Sequence, residues 1–166
     1  MTKLSHFDES GEARMVDVSG KSPTRREAEA SAFVALSPEV LAALPHNPKG
    51  NPLEIARFAG IQAAKKTSDL IPMCHPLPLS FVDVKAITTA TGIAIRSTAA
   101  TTAFTGVEME ALTAASVAAL TVYDMCKALS HEIVIAQVRL LEKSGGRREV
   151  RGGKLAVRRR RGSKRP

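Results

Sequence analysis

The chain has 166 residues, 44% of them hydrophobic, and a formal net charge of +8. At this length and apolar content we expect one domain with a buried core. The positive charge is concentrated in residues 147–166, which hold ten Lys or Arg and one Glu, so residues 1–146 hold 14 basic and 15 acidic residues. This near-neutral body argues against a protein that binds nucleic acid over its whole surface.

Cysteine content and hydropathy restrict the class of protein further. Cys74 and Cys126 are far apart and form no CxxC motif, which excludes a disulfide framework and a zinc site of familiar spacing. The N-terminal residues lack the apolar core of a signal peptide, and no segment approaches the roughly 18 uninterrupted apolar residues of a membrane span. We expect a soluble cytoplasmic protein with reduced thiols.

The N-terminal part of the chain is predicted to begin with two strands. Residues 13–19 (ARMVDVS) alternate in polarity, and residues 26–36 are predicted to continue in the same sheet. A serine followed by proline then resembles a helix cap, which predicts a short helix from Ser37 to Leu44. Residues 45–52 (PHNPKGNP) are predicted to form a loop.

The remaining elements are predicted by apolar spacing and by glycine and proline. Residues 53–68 have helical spacing and end before the proline-rich stretch at 71–78. Residues 79–89 and 92–104 are rich in β-branched side chains around a short turn, which indicates a hairpin. A long helix over 105–127 and a strand over 132–141 complete the predicted elements.

This order of elements predicts an α+β fold rather than a parallel sheet with alternating helices. We expect a ferredoxin-like arrangement, a mostly antiparallel sheet with helices packed on one face. The domain is predicted to cover residues 1–146, with the first roughly 12 residues flexible. Residues 147–166 are predicted to be a disordered basic tail, because they lack aromatic residues and apolar periodicity.

The long helix carries charge on an otherwise apolar pattern. At 100° per residue, Glu110 and Asp124 fall on one stripe and Lys127 on its edge. Because burying unpaired charge is costly, such a stripe is a solvated face with Asp124 and Lys127 paired, a surface that contacts a partner, or the lining of a site. The two carboxylates are separated by roughly 21 Å along the helix axis, so they do not act as one pair. Either the ligand is elongated, or one of the two serves the site of a neighbouring subunit.

A second unusual segment is DLIPMCHPLP at residues 69–78, where three prolines stiffen the backbone around Cys74 and His75. A histidine held in this way can bind phosphate or transfer protons near neutral pH, although a structural hydrogen bond is the simpler role. Cys74 and His75 with Cys126 do not complete a tetrahedral metal site, so no metal is expected.

Several cations lie near predicted element ends. Lys49 sits beside Gly50 in a tight polar turn that suits an anion, although on its own a solvated loop lysine is the simpler interpretation. Arg26 and Lys65 lie where they can converge with it around a polyanion. Lys127 next to Asp124 can serve as an acid or a base if the pair is partly desolvated.

The motifs themselves are recognisable. They are MVDVS (15–19), PKG (48–50), AGIQAAKKT (59–67), DLIPMCHPL (69–77), TGVEMEALTAASVAALTVYDMCKA (105–128) and VRLLEKSGG (138–146). Together they resemble the cyclic pyranopterin monophosphate synthase family, the molybdenum cofactor biosynthesis protein C family. The resemblance covers about residues 5–146 in order.

The resemblance implies a reaction and roles for individual residues. The family converts 3′,8-cyclo-7,8-dihydroguanosine 5′-triphosphate to cyclic pyranopterin monophosphate and releases pyrophosphate, which is the chemistry of a lyase. It implies catalytic roles for Asp124, Lys127 and Lys65. It implies substrate-binding roles for Met73, Cys74, His75, Met109, Glu110, Lys49 and Arg26.

The resemblance also implies a homohexamer, a trimer of dimers, with sites at subunit interfaces and a small GTP-derived substrate. No membrane or specific nucleic acid is expected as a partner, and no cofactor is expected beyond Mg²⁺ that accompanies the triphosphate, a point the sequence leaves open. The alternative function is a non-enzymatic nucleic-acid-binding module that uses the basic tail.

Overall fold

A computed structural model describes residues 10–146, 148–152 and 154–157. The strands are β1 (Thr24–Ala35), β2 (Phe81–Thr89), β3 (Gly92–Ala103), β4 (Val134–Ser144), β5 (Arg148–Arg151) and β6 (Lys154–Val157). The helices are α1 (Pro38–Ala43), α2 (Pro52–Ala64), α3 (Thr67–Leu70) and α4 (Glu108–Cys126), with a 3₁₀ turn at Leu44–His46. None of the described helices is long and apolar enough to cross a membrane.

The strands form a six-stranded sheet in the order β2-β3-β1-β4-β5-β6, and every neighbouring pair is antiparallel. Up to β4 the chain follows a strand, helices, two strands, a helix and a strand, with β1 and β3 in the centre. This is the ferredoxin-like arrangement, and it confirms the predicted α+β fold with helices packed on an antiparallel sheet.

Small side chains bring the helices close to the sheet. On the inner face of β1, every second residue from Ala28 to Val34 is buried. Helix α4 contributes a matching surface of alanines that are fully buried, among them Ala111, Ala114 and Ala118. Because alanine adds little bulk, the long helix can approach the strands closely and fill the core at native density.

Helices α2 and α4 pack against each other in opposite directions. The loop before α2 contacts the C-terminal end of α4, where Lys49 hydrogen-bonds Asp124. Farther along α2, a Cβ on Gly60 would lie 2.8 Å from the carbonyl oxygen of Ala114 and 3.2 Å from the Cβ of Ala118. The glycine therefore allows the two helix backbones to approach, and the end of α2 lies toward the start of α4.

The strand predicted over residues 13–19 is wrong. Only an isolated bridge forms at Ala13, residues 14–18 have no regular secondary structure, and the segment is largely exposed. Its backbone is used elsewhere, since the carbonyl of Val16 bonds His75 and Asp17 accepts a hydrogen bond from the backbone of Ser19. Both edges of β1 are already taken by β3 and β4, so the segment has no adjacent free edge to join.

Other predictions differ in their boundaries. The helix predicted over 53–68 is interrupted at Lys65 and Lys66, where α2 ends and the short α3 follows. The last predicted strand extends to Ser144. Residues 148–151 and 154–157 form the strand pair β5 and β6, which differs from the predicted disorder. Residues 147, 153 and 158–166 of that predicted tail lie outside the described residues, and so do residues 1–9 of the segment predicted to be flexible.

Candidate functional site

A cavity of about 1010 Å³ opens at the N-terminal end of α4. It lies where four parts of the fold meet: the segment before β1, the proline-rich loop after α3, the start of α4 and the end of β4. Prolines stiffen one wall, and the helix terminus forms another. Of the residues predicted from the sequence, the cavity is lined by Arg26, Met73, Cys74, His75, Met109 and Glu110.

His75 is held by the backbone of the N-terminal segment. Its Nε2 lies 2.8 Å from the carbonyl oxygen of Val16, and because a carbonyl can only accept, Nε2 carries the proton. In the neutral ring Nδ1 is then a proton acceptor. The loop that carries His75 is closed by a hydrogen bond from the backbone of Cys74 to Ile71, 3.0 Å, so the ring is presented from a rigid support.

Glu110 is the buried carboxyl group of the cavity, with only 4% of the residue exposed. Burial disfavours its charged form and raises its pKa to about 7, and the nearby charge of Glu108 acts in the same direction. The same environment raises the pKa of the Cys74 thiol, through burial and through Glu110. Near neutral pH, Glu110 can therefore either donate or accept a hydrogen bond.

Arg26 has a buried N–H group that is available to bind a ligand in the cavity. Its Nη2 donates to the carbonyl oxygen of Phe104 over 3.3 Å, whereas its Nε is buried without a hydrogen-bond partner among the described residues. A buried guanidinium N–H without a partner is costly, and a bound anion would satisfy it.

A glycine holds two walls of this cavity together. Gly145, just after β4, has a φ of +87°, and a Cβ there would lie 1.9 Å from the carbonyl oxygen of Arg25. The hydroxyl of Thr24 also donates to the carbonyl of Gly145, 3.1 Å. Because glycine has no Cβ, the end of β4 can lie against the start of β1, beside Arg26.

Three charged residues that line the cavity were missed by the sequence analysis. They are Lys21, Glu108 and Lys143. Glu108 and Lys143 form a short ion pair that joins the start of α4 to the end of β4. Glu108 and Lys143 lie inside motifs that carry the resemblance, and Lys21 follows one of them closely, but local spacing gives no indication that they meet.

A separate cluster forms at the C-terminal end of α4. Lys127 Nζ lies 2.7 Å from Oδ1 of Asp124, and Lys49 Nζ lies 3.3 Å from its Oδ2. Hydrogen bonds from Lys127 and then Lys49 lower the pKa of the Asp124 carboxyl, and the bond to Asp124 raises the pKa of Lys127. All three side chains are about half exposed, so this end of the stripe is a solvated ion-pair cluster in the single chain.

The structure therefore divides the predicted site. One group lies in the cavity and the other at the opposite end of a continuous α4, so Glu110 and Asp124 are roughly 21 Å apart along the axis. Lys65 joins neither group: it is exposed at the C-terminal end of α2 and does not line the cavity. Among the described residues, no group of three or more His, Cys, Asp or Glu side chains could hold a metal ion.

A comparison with protein families gives one match that covers both groups of residues. The model described as the MoaC family matches residues 15–146. The match starts in the segment that contacts His75, includes the whole of α4 and ends at the glycines after β4.

Proposed function

This chain belongs to the MoaC family, which supports a role in molybdenum cofactor biosynthesis, and from that premise we propose that it is a cyclic pyranopterin monophosphate synthase. In the proposed reaction, (8S)-3′,8-cyclo-7,8-dihydroguanosine 5′-triphosphate rearranges to the pterin. A hydroxyl oxygen of the sugar-derived part of the substrate bonds to the α phosphorus and closes the cyclic ester, and its proton passes to a general base. The bond from the α phosphorus to the oxygen shared with the β phosphate breaks, and pyrophosphate leaves with that oxygen. The enzyme is then a phosphorus–oxygen lyase, and we propose that it acts in the cytoplasm.

The observation that carries this proposal is the buried Nε of Arg26, which has no hydrogen-bond partner in the described part of the chain and lies in a cavity that also holds Lys21, Lys143 and His75. Three cationic groups that can donate to phosphate oxygens, those of Arg26, Lys21 and Lys143, converge there, which suits a polyanion. The volume of about 1010 Å³ is at the upper end of the roughly 300–1,000 Å³ of small-molecule sites. Glu110, largely neutral below pH 7, supports binding of a heterocycle because its carboxyl can donate as well as accept.

We assign the acid–base work to Asp124 and Lys127. Support comes from their direct contact of 2.7 Å and from Lys49 on the other carboxylate oxygen. In the single chain the cluster is exposed, and pairing stabilises the charged forms of Asp124 and Lys127. Enclosure by a second copy of the chain would desolvate the pair and bring the pKa of Lys127 down toward the working range of a catalyst.

We propose that each site is completed by a second copy, within a hexamer built as a trimer of dimers. The length of α4 supports this, because it keeps the cavity and the acid–base cluster apart in one chain. Exposed apolar side chains on the two long helices also support contact with another subunit, namely Ile55, Phe58 and Leu120. The role of Lys65, exposed at the end of α2, is then proposed to depend on the same assembly.

The test is to incubate the purified chain with the cyclised triphosphate and to measure pyrophosphate and pterin. We expect both products, and we expect Asp124→Ala and Lys127→Ala each to lower kcat/KM by about 10³-fold or more while the protein still assembles. The exposed Lys85 of β2 supplies a matched control, since Lys85→Ala should leave turnover unchanged. Substantial turnover by a folded Asp124→Ala variant would reject these roles.

Assays with and without a chelator belong to the same experiment, because the proposal includes no resident cofactor and the triphosphate can bring Mg²⁺ with it. Folded wild-type protein that forms neither product under both conditions would reject the proposed function.

A further inference from the structure

Asn47 is one of two side chains that join the loop between the 3₁₀ turn and α2 to the end of α4, the other being Lys49. The Nδ2 of Asn47 donates to the carbonyl oxygen of Met125 over 2.8 Å, and its Oδ1 accepts from the backbone N–H of Lys49 over 2.9 Å. A carbonyl can only accept and a backbone N–H can only donate, so both partners fix the same orientation of the amide.

These contacts satisfy a structural need of the helix. The last carbonyl groups of a helix have no partners within it. In α4 the carbonyl of Asp124 accepts from Lys49 Nζ over 3.0 Å, and the next carbonyl, of Met125, accepts from Asn47. The loop therefore supplies both donors, and the ammonium group lies at the negative end of the helix dipole.

The backbone of the loop is also closed on itself through Asn47. The backbone carbonyl of Asn47 accepts from the N–H of Gly50 over 3.0 Å, and the backbone N–H of Asn47 donates to the carbonyl of Leu44. Pro48 fixes one φ between them, and Gly50 adopts a φ of +97° that favours glycine. The Cα of Lys49 thus has little freedom, although its side chain is exposed.

We propose that Asn47 is a positioning residue for the acid–base cluster: it holds Lys49 in place against Asp124 at the end of α4. The consequence for turnover rests on the proposed function. The side-chain hydrogen bonds of Asn47 within the described residues go to Met125 and Lys49 and not to Asp124, so it acts through Lys49. Without its amide, the carbonyl of Met125 loses its donor and the backbone of Lys49 loses its anchor, and the ammonium group no longer has one preferred position.

A double-mutant cycle tests this coupling. We expect Asn47→Ala to lower kcat/KM by roughly 10- to 100-fold in the wild-type background. In a Lys49→Ala background the same change should cost less than about 2-fold, because there is no longer an ammonium group to position. An equal loss in both backgrounds would mean that Asn47 has only a general structural role, and would overturn the inference.

Two further variants separate positioning from stability. Asn51 is a matched control, because it caps α2 through the N–H groups of Leu53 and Glu54 and lies four positions along the same loop. Asn51→Ala should lower the denaturant concentration at the midpoint of unfolding and leave kcat/KM unchanged. Asn47→Asp keeps the acceptor for the backbone N–H of Lys49 but cannot donate to the carbonyl of Met125, so its kcat/KM should be lower than that of wild type. Wild-type kcat/KM in this variant would contradict the anchoring role.

A measurement without substrate keeps the inference independent of the reaction. In protein with ¹³C-labelled aspartate, the carboxyl of Asp124 can be titrated, with Asp124→Asn to assign its signal. We expect Lys49→Ala and Asn47→Ala both to raise the pKa of Asp124, because each removes the hydrogen bond from Lys49, whereas Asn51→Ala should not. An unchanged titration in either of the first two variants overturns the inference, even if the synthase activity is absent.

Discussion

At the scale of single residues, the two carboxylates of α4 differ in a way that their shared stripe does not reveal. Glu110 is almost completely buried, and its pKa is raised to about 7. Asp124 lies between two lysines and has a lowered pKa. The first is costly to ionise and the second is stabilised as an anion, so one helix provides a neutral donor at one end and a fixed negative charge at the other.

The raised pKa of Glu110 predicts a specific dependence of stability on pH. Between an ordinary value near 4.5 and the folded value of about 7, the folded chain binds more protons than the unfolded chain, so the stability that Glu110 contributes is complete at low pH and decreases as pH rises. We expect the free energy of unfolding of Glu110→Gln, relative to wild type, to increase by about 3 kcal/mol from pH 4 to pH 8.

Denaturant unfolding of both proteins at a series of pH values measures this change. The test is how the difference in free energy of unfolding between the two proteins changes with pH, because the substitution can also shift stability by an amount that does not depend on pH. If the free energies of unfolding of the two proteins change with pH in parallel from pH 4 to pH 8, burial does not disfavour the ionisation of Glu110.

At the scale of secondary structure elements, the site depends on how closely α2 and α4 approach. Their contact places the loop before α2 at the end of α4, and it rests on Gly60 against Ala114 and Ala118. Alanine at position 60 would be the better helix former by about 1 kcal/mol. Its Cβ would nevertheless meet a backbone carbonyl at 2.8 Å, which can be relieved only by moving one helix.

We therefore expect Gly60→Ala to lower the free energy of unfolding by roughly 1–2 kcal/mol, because the overpacking outweighs the gain in helix propensity. Chemical denaturation of Gly60→Ala and wild type measures this change in the free energy of unfolding. Gly20→Ala is the matched control, since a Cβ at Gly20 meets nothing within 4 Å; stabilisation of the chain by Gly60→Ala would show that the helices can move apart without cost.

At the scale of the whole molecule, a helix of the length of α4 cannot bring both of its ends to one ligand. The cavity with Arg26 and His75 and the cluster around Asp124 must act separately within one chain, or act together between chains. In a two-fold symmetric dimer the same contact occurs twice, so each subunit can supply the cavity of one site and the acid–base pair of the other.

Complementation distinguishes these arrangements. We expect Arg26→Ala and Asp124→Ala proteins to be inactive alone, and mixed oligomers formed by co-expression to regain about a quarter of the wild-type activity, because random pairing leaves that share of shared sites intact. Oligomers of each variant alone are the control. Mixed oligomers that form and stay inactive would place both groups of residues in the site of a single chain.

The sequence by itself determined the α+β fold, the hairpin, the long helix and the motifs of the MoaC family, because these depend on local periodicity, turn residues and residue identity. It predicted six residues of the cavity and the three of the Asp124 cluster, and the helix length already separated Glu110 from Asp124, but it missed Lys21, Glu108 and Lys143 in the cavity.

The tertiary structure decided what depends on neighbours distant in the chain. Burial made Glu110 differ from Asp124, and the close passage of Gly145 brought the end of β4 to Arg26. Residues 13–19 alternate like a strand, but β3 and β4 had already occupied both edges of β1. Exposure, pairing and pKa depend on what packs against a residue, and no local pattern contains that information.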